Sequence, residues 1–250
     1  MKLSLIGSGS MATALALGLE DHFELEIIAR NQDKASLLAS KLKKSIDIID
    51  LDNAIIENKN IILCTKPYAL DDVASKLKGK ANSLISILAG TSIDKLGSAI
   101  EADHIVRAMP NVSAKFNTST TTLTGDNTIK DKCIKIFGTI GDVFWLESEK
   151  ELDIATAIAG SGPAFLALVA EAMMDGGVKQ GLKRDDSAKL VSSLFKGFAP
   201  LIGQTHPALI KDSVMSPAGT TAAGYSALEE CGARDAFIKA IEAAFKVTQK

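Results

Sequence analysis

The sequence predicts a doubly wound α/β domain built on a parallel sheet, followed by an all-α helical domain, and three observations carry that prediction. A glycine turn joins an apolar strand to a helix at the very start, and strand and helix patterns then alternate as far as residue 148. From Glu149 onward only helical periodicity remains. At 250 residues the chain is long enough for two cores, with the division expected between 1–148 and 149–250.

The opening element defines the first domain. Lys2-Leu3-Ser4-Leu5-Ile6 reads as a buried strand, Gly7-Ser8-Gly9 as a turn, and Ser10-Met11-Ala12 as the start of a helix reaching Leu19. In a G-x-G-x-x-(G/A) turn the first glycine allows the tight turn, the second lets a pyrophosphate approach the backbone, and the small third residue lets helix and strand pack closely. Gly7, Gly9 and Ala12 fill those places, so Ile6 through Met11 form the expected dinucleotide site of a Rossmann-type domain. Lys2 and the apolar run to Leu19 superficially resemble a secretory leader, but its removal would delete the first strand and turn of this fold.

The remaining elements follow in order. A second strand is expected over 24–29, a polar helix over 33–43, a weak strand over 46–49 and a short helix from Asp52. Residues 60–65 are a short apolar run of the kind buried in a parallel sheet. Lys66-Pro67 ends it, and Pro67 suits the first turn of a helix to about Leu77. Strands over 83–88 and 104–108 end at Ala89-Gly90-Thr91 and Met109-Pro110-Asn111. Ligands of open parallel sheets bind beyond the carboxyl ends of the strands, and there the chain places Gly, Pro, Thr and Asn. A β-rich stretch over 119–123 and 143–146, flanking a helix over 130–140, closes the first half.

In the second half Ser161-Gly162-Pro163 opens a long helix, which Asp175-Gly176-Gly177 is expected to break or end. A helix from Asp185 carries Ala188, Val191, Leu194, Phe195, Phe198, Leu201 and Ile202 at helical spacing, a core or subunit-contact stripe. A last helix from Arg234 carries Phe237, Ile238, Ile241, Ala244 and Phe245 on one face.

The end of the second strand should set the cofactor. An acid there binds the ribose hydroxyls of NAD, whereas an arginine accommodates the extra phosphate of NADP. Ala29-Arg30-Asn31 holds the place, with Lys34 one turn on, so NADP(H) is expected in preference to NAD(H). A solvated surface Arg30, with Asn31 taking the ribose of either cofactor, is the plainer alternative.

Composition narrows the partners. The formal net charge of -2 offers no basic footprint for nucleic acid and no polybasic membrane face. No stretch beyond the first helix reaches about 18 uninterrupted apolar residues, so no transmembrane helix is expected. Cys64, Cys133 and Cys231 lie far apart with no C-x-x-C, and His22, His104 and His206 do not complete a metal site. The three cysteines read as thiols of a reducing cytosol, and a cytoplasmic location is expected.

Six blocks in order resemble pyrroline-5-carboxylate reductases, enzymes that make proline by reducing a cyclic imine. They are the opening glycine turn, Cys64-Thr65-Lys66-Pro67, Arg107-Ala108-Met109-Pro110-Asn111, Gly160-Ser161-Gly162-Pro163-Ala164-Phe165, Asp175-Gly176-Gly177-Val178-Lys179-Gln180-Gly181-Leu182 and Ser216-Pro217-Ala218-Gly219-Thr220-Thr221. The resemblance implies that Cys64, Thr65, Lys66, Pro67, Ala89, Gly90 and Asn53 join the glycine turn around the cofactor, although Asn53 stands closer to Lys66 than usual. It implies that Gly219, Thr220 and Thr221 receive the substrate carboxylate, with Ser213 as a further donor. A glycine and two threonines at an expected helix start supply N–H donors and no opposing charge, in agreement. Thr221 is the residue expected to orient the ring nitrogen rather than to act as a general acid, a helix cap being its plainer alternative. The resemblance further implies an intertwined homodimer, assembled into a larger homo-oligomer, with both subunits building the site.

Two positions depart from the family pattern: Ala218 replaces a common glycine and Ser213 a frequent asparagine. Glu147 and Glu149 both fall near an acid that meets the product in some relatives. β-Hydroxyacid dehydrogenases share the architecture but need a lysine and an asparagine after the second glycine of the long helix, where this chain has Leu166 and Ala170. A protein that senses NADP without turnover is the alternative from outside the enzymes.

Overall fold

A computed structural model describes residues 1–249. The first unit is an eight-stranded sheet in the order β3-β2-β1-β4-β5-β6-β7-β8. β1 (Lys2–Ile6), α1 (Ser10–Leu19), β2 (Glu24–Ala29), α2 (Gln32–Ala39) and β3 (Asp47–Asp50) form one half of the winding. β4 (Asn60–Leu63), α3 (Leu70–Ala74), β5 (Ala81–Ser86), α4 (Ile93–Ala99) and β6 (Ala102–Met109) form the other. β1 is parallel to β2 on one side and to β4 on the other, so the winding reverses at β1. β7 (Ser119–Gly125) runs antiparallel to β6, and β8 (Gly141–Trp145), reached through α5 (Lys130–Gly138), is parallel to β7.

Alternation along the strands splits the core between the two sheet faces. Leu3, Leu5, Ile27 and Ile62 pack with Ala12, Leu15 and Leu19 of α1, while Ile6, Ile28, Ile61 and Leu63 pack with Leu70, Val73 and Leu96 of α3 and α4. Both faces are covered, which is why Ile61-Ile62-Leu63 of β4 reads as a continuous apolar run, while in β1 and β2 the buried Ser4 donates to Glu26 Oε1 at 2.7 Å.

Several boundaries differ from the sequence expectation. The helix expected over 67–77 resolves into a 3-10 turn, Pro67–Ala69, and the short α3, and the one expected from Asp52 is the 3-10 turn Leu51–Asn53. α4 was not foreseen: it has seven residues, too short for its period to stand out, with only Leu96 buried.

The packing divides after Ser161, giving Met1–Ser161 together with the segment that begins at Ala244, and a second unit, Gly162–Ala243. α6 (Glu149–Ala159), where helical periodicity begins, packs on β6 and β7 of the first unit. The cause is Arg107, whose side chain is 2% exposed: its Nη1 donates to Glu149 Oε1 at 2.8 Å and its Nη2 to Asp153 Oδ1 at 2.7 Å.

The second unit holds α7 (Gly162–Lys179), α8 (Arg184–Gln204), α9 (Pro207–Val214), α10 (Thr220–Glu230) and the greater part of α11 (Ala233–Thr248). α7 does not break at Asp175-Gly176-Gly177, a correction to the expectation. A Cβ at Gly177 would lie 2.5 Å from Ser187 Oγ, so this glycine serves the close approach of α7 and α8. Ser187 seals that contact by donating to the Met174 carbonyl at 2.8 Å. By length and composition the stretch Glu149–Lys179 is apolar enough to cross a membrane, contrary to expectation. It is interrupted between α6 and α7, however, and α6 is tied to the sheet by the buried Arg107 pairs.

Candidate active site

The carboxyl ends of β1, β2 and β4 meet in a cleft of about 280 Å³. Its lining includes Ile6, Gly7, Ser8 and Gly9 from the first turn, Arg30, Asn31 and Lys34 beyond β2, and Cys64, Thr65 and Lys66 beyond β4. Gly7 has φ +119°, and a Cβ there would fall 2.9 Å from the Cys64 carbonyl oxygen, so only glycine fits between β1 and β4. At Gly9 a Cβ would meet nothing within 4 Å. The second glycine therefore faces open space, as a close-approaching pyrophosphate requires. Gly9 caps α1 without any side-chain hydrogen bond and the first turn carries no acid, so the leading N–H groups of α1 are free to receive an anion.

Thr65 supplies an independent test of fit. Its Oγ1 is buried in the wall of the cleft with no hydrogen-bond partner among the described residues. A polar ligand there would satisfy it. Cys64 contributes backbone and packing rather than chemistry, since burial pushes its thiol well above the usual range. Burial likewise pushes the Cys133 thiol up to about 12.

At the far rim Arg30 Nη1 lies 2.9 Å from Asp72 Oδ2. Asn31 caps α2, its Oδ1 accepting from the Lys34 N–H at 2.8 Å, so that oxygen is not free for a ribose. The end of β2 thus presents cations, Arg30 and Lys34, and no acid of its own.

In the second unit Ser216-Pro217-Ala218-Gly219 turns into α10. Ala218 takes φ +57°, the left-handed conformation that a glycine would hold without strain. Gly219 caps α10, and a Cβ there would fall 2.3 Å from Ser216 Oγ. Thr220 and Thr221 are exposed and the first turn holds no acidic residue, which leaves the leading N–H groups of α10 open to a carboxylate.

Comparison with known proteins decides the family. Residues 149–250 match the family model described as pyrroline-5-carboxylate reductase dimerisation, and residues 2–90 match one described as NADP oxidoreductase, coenzyme F420-dependent. The chain is 36% identical to the pyrroline-5-carboxylate reductase of Helicobacter pylori over 98% of its own length and 97% of that protein's. To the enzyme of that name from Synechocystis it is 37% identical, over 100% and 98%. The chain belongs to the pyrroline-5-carboxylate reductase family. The crystal structure of the reductase from Streptococcus pyogenes superposes with a TM-score of 0.88 at 28% identity, covering 100% of this chain and 98% of that one. The Plasmodium falciparum pyrroline carboxylate reductase, solved with NADP bound, gives 0.82 at 29%, with the same coverage.

Not every residue expected from the reductase family reaches the cleft. Ser10 and Met11 lie in the first turn of α1, behind the glycines, and Pro67 opens the 3-10 turn after Lys66. Ala89 and Gly90 form an exposed turn beyond β5, Gly90 at φ +64°, outside the cleft lining. Asn53 ends its 3-10 turn exposed and does not line the cleft; Leu51 of that turn does. Ser213 spends its hydroxyl proton on the Ile210 carbonyl at 2.8 Å. Of the two acids near the place where some relatives meet the product, Glu149 is occupied, accepting from Arg107 and from the Ile93 N–H at 2.9 Å, while Glu147 is exposed. His104 pairs with Asp126 at 2.7 Å, and His206 accepts from the Ala208 N–H as a helix cap. Tyr68, 89% exposed, and Asp72 line the cleft and were not foreseen. Tyr68 could have been found by extending the Lys66-Pro67 turn by one residue. Asp72 carries no sequence signal, because it meets Arg30 across 42 positions.

Proposed function

We propose that this chain reduces 1-pyrroline-5-carboxylate to proline with NADPH, the closing step of proline biosynthesis, in the cytoplasm, and that it also accepts NADH. The observation that carries the cofactor reading is the cleft at the β1–β4 reversal, where Gly9 faces open space and the buried Thr65 hydroxyl has no partner among the described residues. Gly7, Ser8, Gly9 and the start of α1 would hold the pyrophosphate, Thr65 and Lys66 the central part, and Arg30 with Lys34 the 2′-phosphate. Reduced nicotinamide, when bound, supplies the hydride for the C=N carbon.

The chain's own residues then bind, align and exclude water. The N–H groups of Thr220 and Thr221 take the substrate carboxylate, that of Gly219 being already donated to the Ser216 carbonyl at 3.0 Å, and the Thr221 hydroxyl hydrogen-bonds the ring nitrogen as it becomes an amine. With Glu149 bound to Arg107, Glu147 is the acid left to meet the product amine. The helical half pairs with a second copy, so that the site draws on both subunits of a homodimer, itself part of a larger homo-oligomer.

Initial rates of NADPH and NADH oxidation with pyrroline-5-carboxylate test this reading. Thr221→Ala is expected to lower kcat/KM about 10- to 100-fold while cofactor binding survives, the usual worth of a hydrogen bond to a charged group. Arg30→Ala should weaken NADPH far more than NADH. An enzyme indifferent to Thr221→Ala removes that residue from the mechanism, and binding of NADPH without turnover would make the protein a sensor.

A further inference from the structure

Asp72 stands at the cofactor cleft although nothing in the reduction calls for it. We infer that Asp72 sets the balance between the two nicotinamide cofactors by competing with the 2′-phosphate for Arg30. The inference rests on the cofactor site proposed above and names a residue that acts against its phosphate end.

Asp72 Oδ2 lies 2.9 Å from Arg30 Nη1, and both side chains line the cleft together with Asn31 and Lys34. A guanidinium receives phosphate through a planar fork of N–H groups, and here a carboxylate already occupies part of that fork. A phosphate monoester carries close to two negative charges at neutral pH. Binding it at Arg30 must either displace Asp72 or hold two anions against one cation. A ribose ending in a hydroxyl meets no such opposition, and a carboxylate is the group that accepts from ribose hydroxyls. Asp72 thereby supplies, from α3, the acid that the end of β2 lacks. The nearby Lys76 does not relieve the competition, since it pairs with Asp52 at 2.7 Å. The Arg30 and Asp72 side chains are 68% and 50% exposed, so the pair is weak and exchangeable.

The test compares kcat/KM and Kd for NADPH and NADH in the unaltered enzyme, Asp72→Asn, Arg30→Ala and the double variant. Asp21→Asn serves as control: it removes the same charge from a surface pair with Lys43, ahead of β2 rather than beyond it. Asp72→Asn is expected to raise the NADPH-to-NADH ratio about three- to tenfold at low salt, the scale of charges a few ångströms apart in a solvent-like dielectric. The gain should shrink as ionic strength rises and vanish in the Arg30→Ala background. A ratio unchanged or lowered by Asp72→Asn, while Arg30→Ala still costs NADPH preferentially, overturns the inference and leaves the cofactor site standing. An equal loss of both cofactors in Arg30→Ala overturns the role of Arg30 and the inference with it. A shift of the same size in Asp21→Asn assigns the effect to net charge and also overturns it.

Discussion

Ala218 holds a left-handed backbone at φ +57° next to the turn that would receive the substrate carboxylate. A left-handed alanine costs about 1–2 kcal/mol, and glycine returns part of that through its greater freedom when unfolded. Ala218→Gly should therefore stabilise the enzyme by about 0.5–1 kcal/mol in urea denaturation, and a loss of stability would contradict the assigned conformation. A second residue-scale prediction concerns acid. Asp126 falls from its ordinary 3.8 to about 2, because the Thr128 hydroxyl, then His104 and the Thr128 N–H, hydrogen-bond its carboxylate. The unfolded chain binds that proton more tightly, so the contribution is complete above about pH 5 and fades as pH falls through 4 towards 2. After allowance for solvent screening, Asp126→Asn should cost about 1 kcal/mol near neutrality and nothing at the acid end. A gap between the two proteins that stays constant with pH would show that the carboxylate is not the cause.

Arg107 is the element-scale counterpart, since it joins α6 to β6 through Glu149 and Asp153. Replacing it by Met leaves two partly buried carboxylates without their cation, a loss on the order of 3–5 kcal/mol. The urea midpoint of Arg107→Met should drop accordingly, and Glu149 should lose its link to the β6 side of the sheet. Gly177 works differently. Its hydrogen lets α7 lie against Ser187 of α8, so Gly177→Ala should destabilise by about 1–3 kcal/mol through overpacking, outweighing the better helix propensity of alanine. A more stable variant would mean that α7 and α8 have room to separate.

The whole molecule leaves an apolar surface that a single chain does not cover. Leu194, Phe198, Leu201 and Ile202 of α8 are 52%, 41%, 51% and 50% exposed, and α7, α9, α10 and α11 bury no residue. Exposed apolar side chains of this kind are what a partner surface would cover, and the match to the dimerisation model spans the same residues. Phe198→Asp should give monomers in sedimentation and abolish reduction, and the melting temperature of the unaltered enzyme should rise with protein concentration. A Phe198→Asp dimer with full activity would place the interface elsewhere.

What the sequence determined by itself is local. The glycine turn, the strand Glu24–Ala29 and the start of α10 at Thr220 depend on residues a few positions apart, where side-chain size, backbone freedom and period act directly. Only the tertiary structure decided that Arg30 faces Asp72, that Glu149 is bound by Arg107, and that α7 runs through two glycines. Those outcomes join residues that are distant along the chain, and whether a charge is free or a glycine ends a helix depends on what the fold brings beside it.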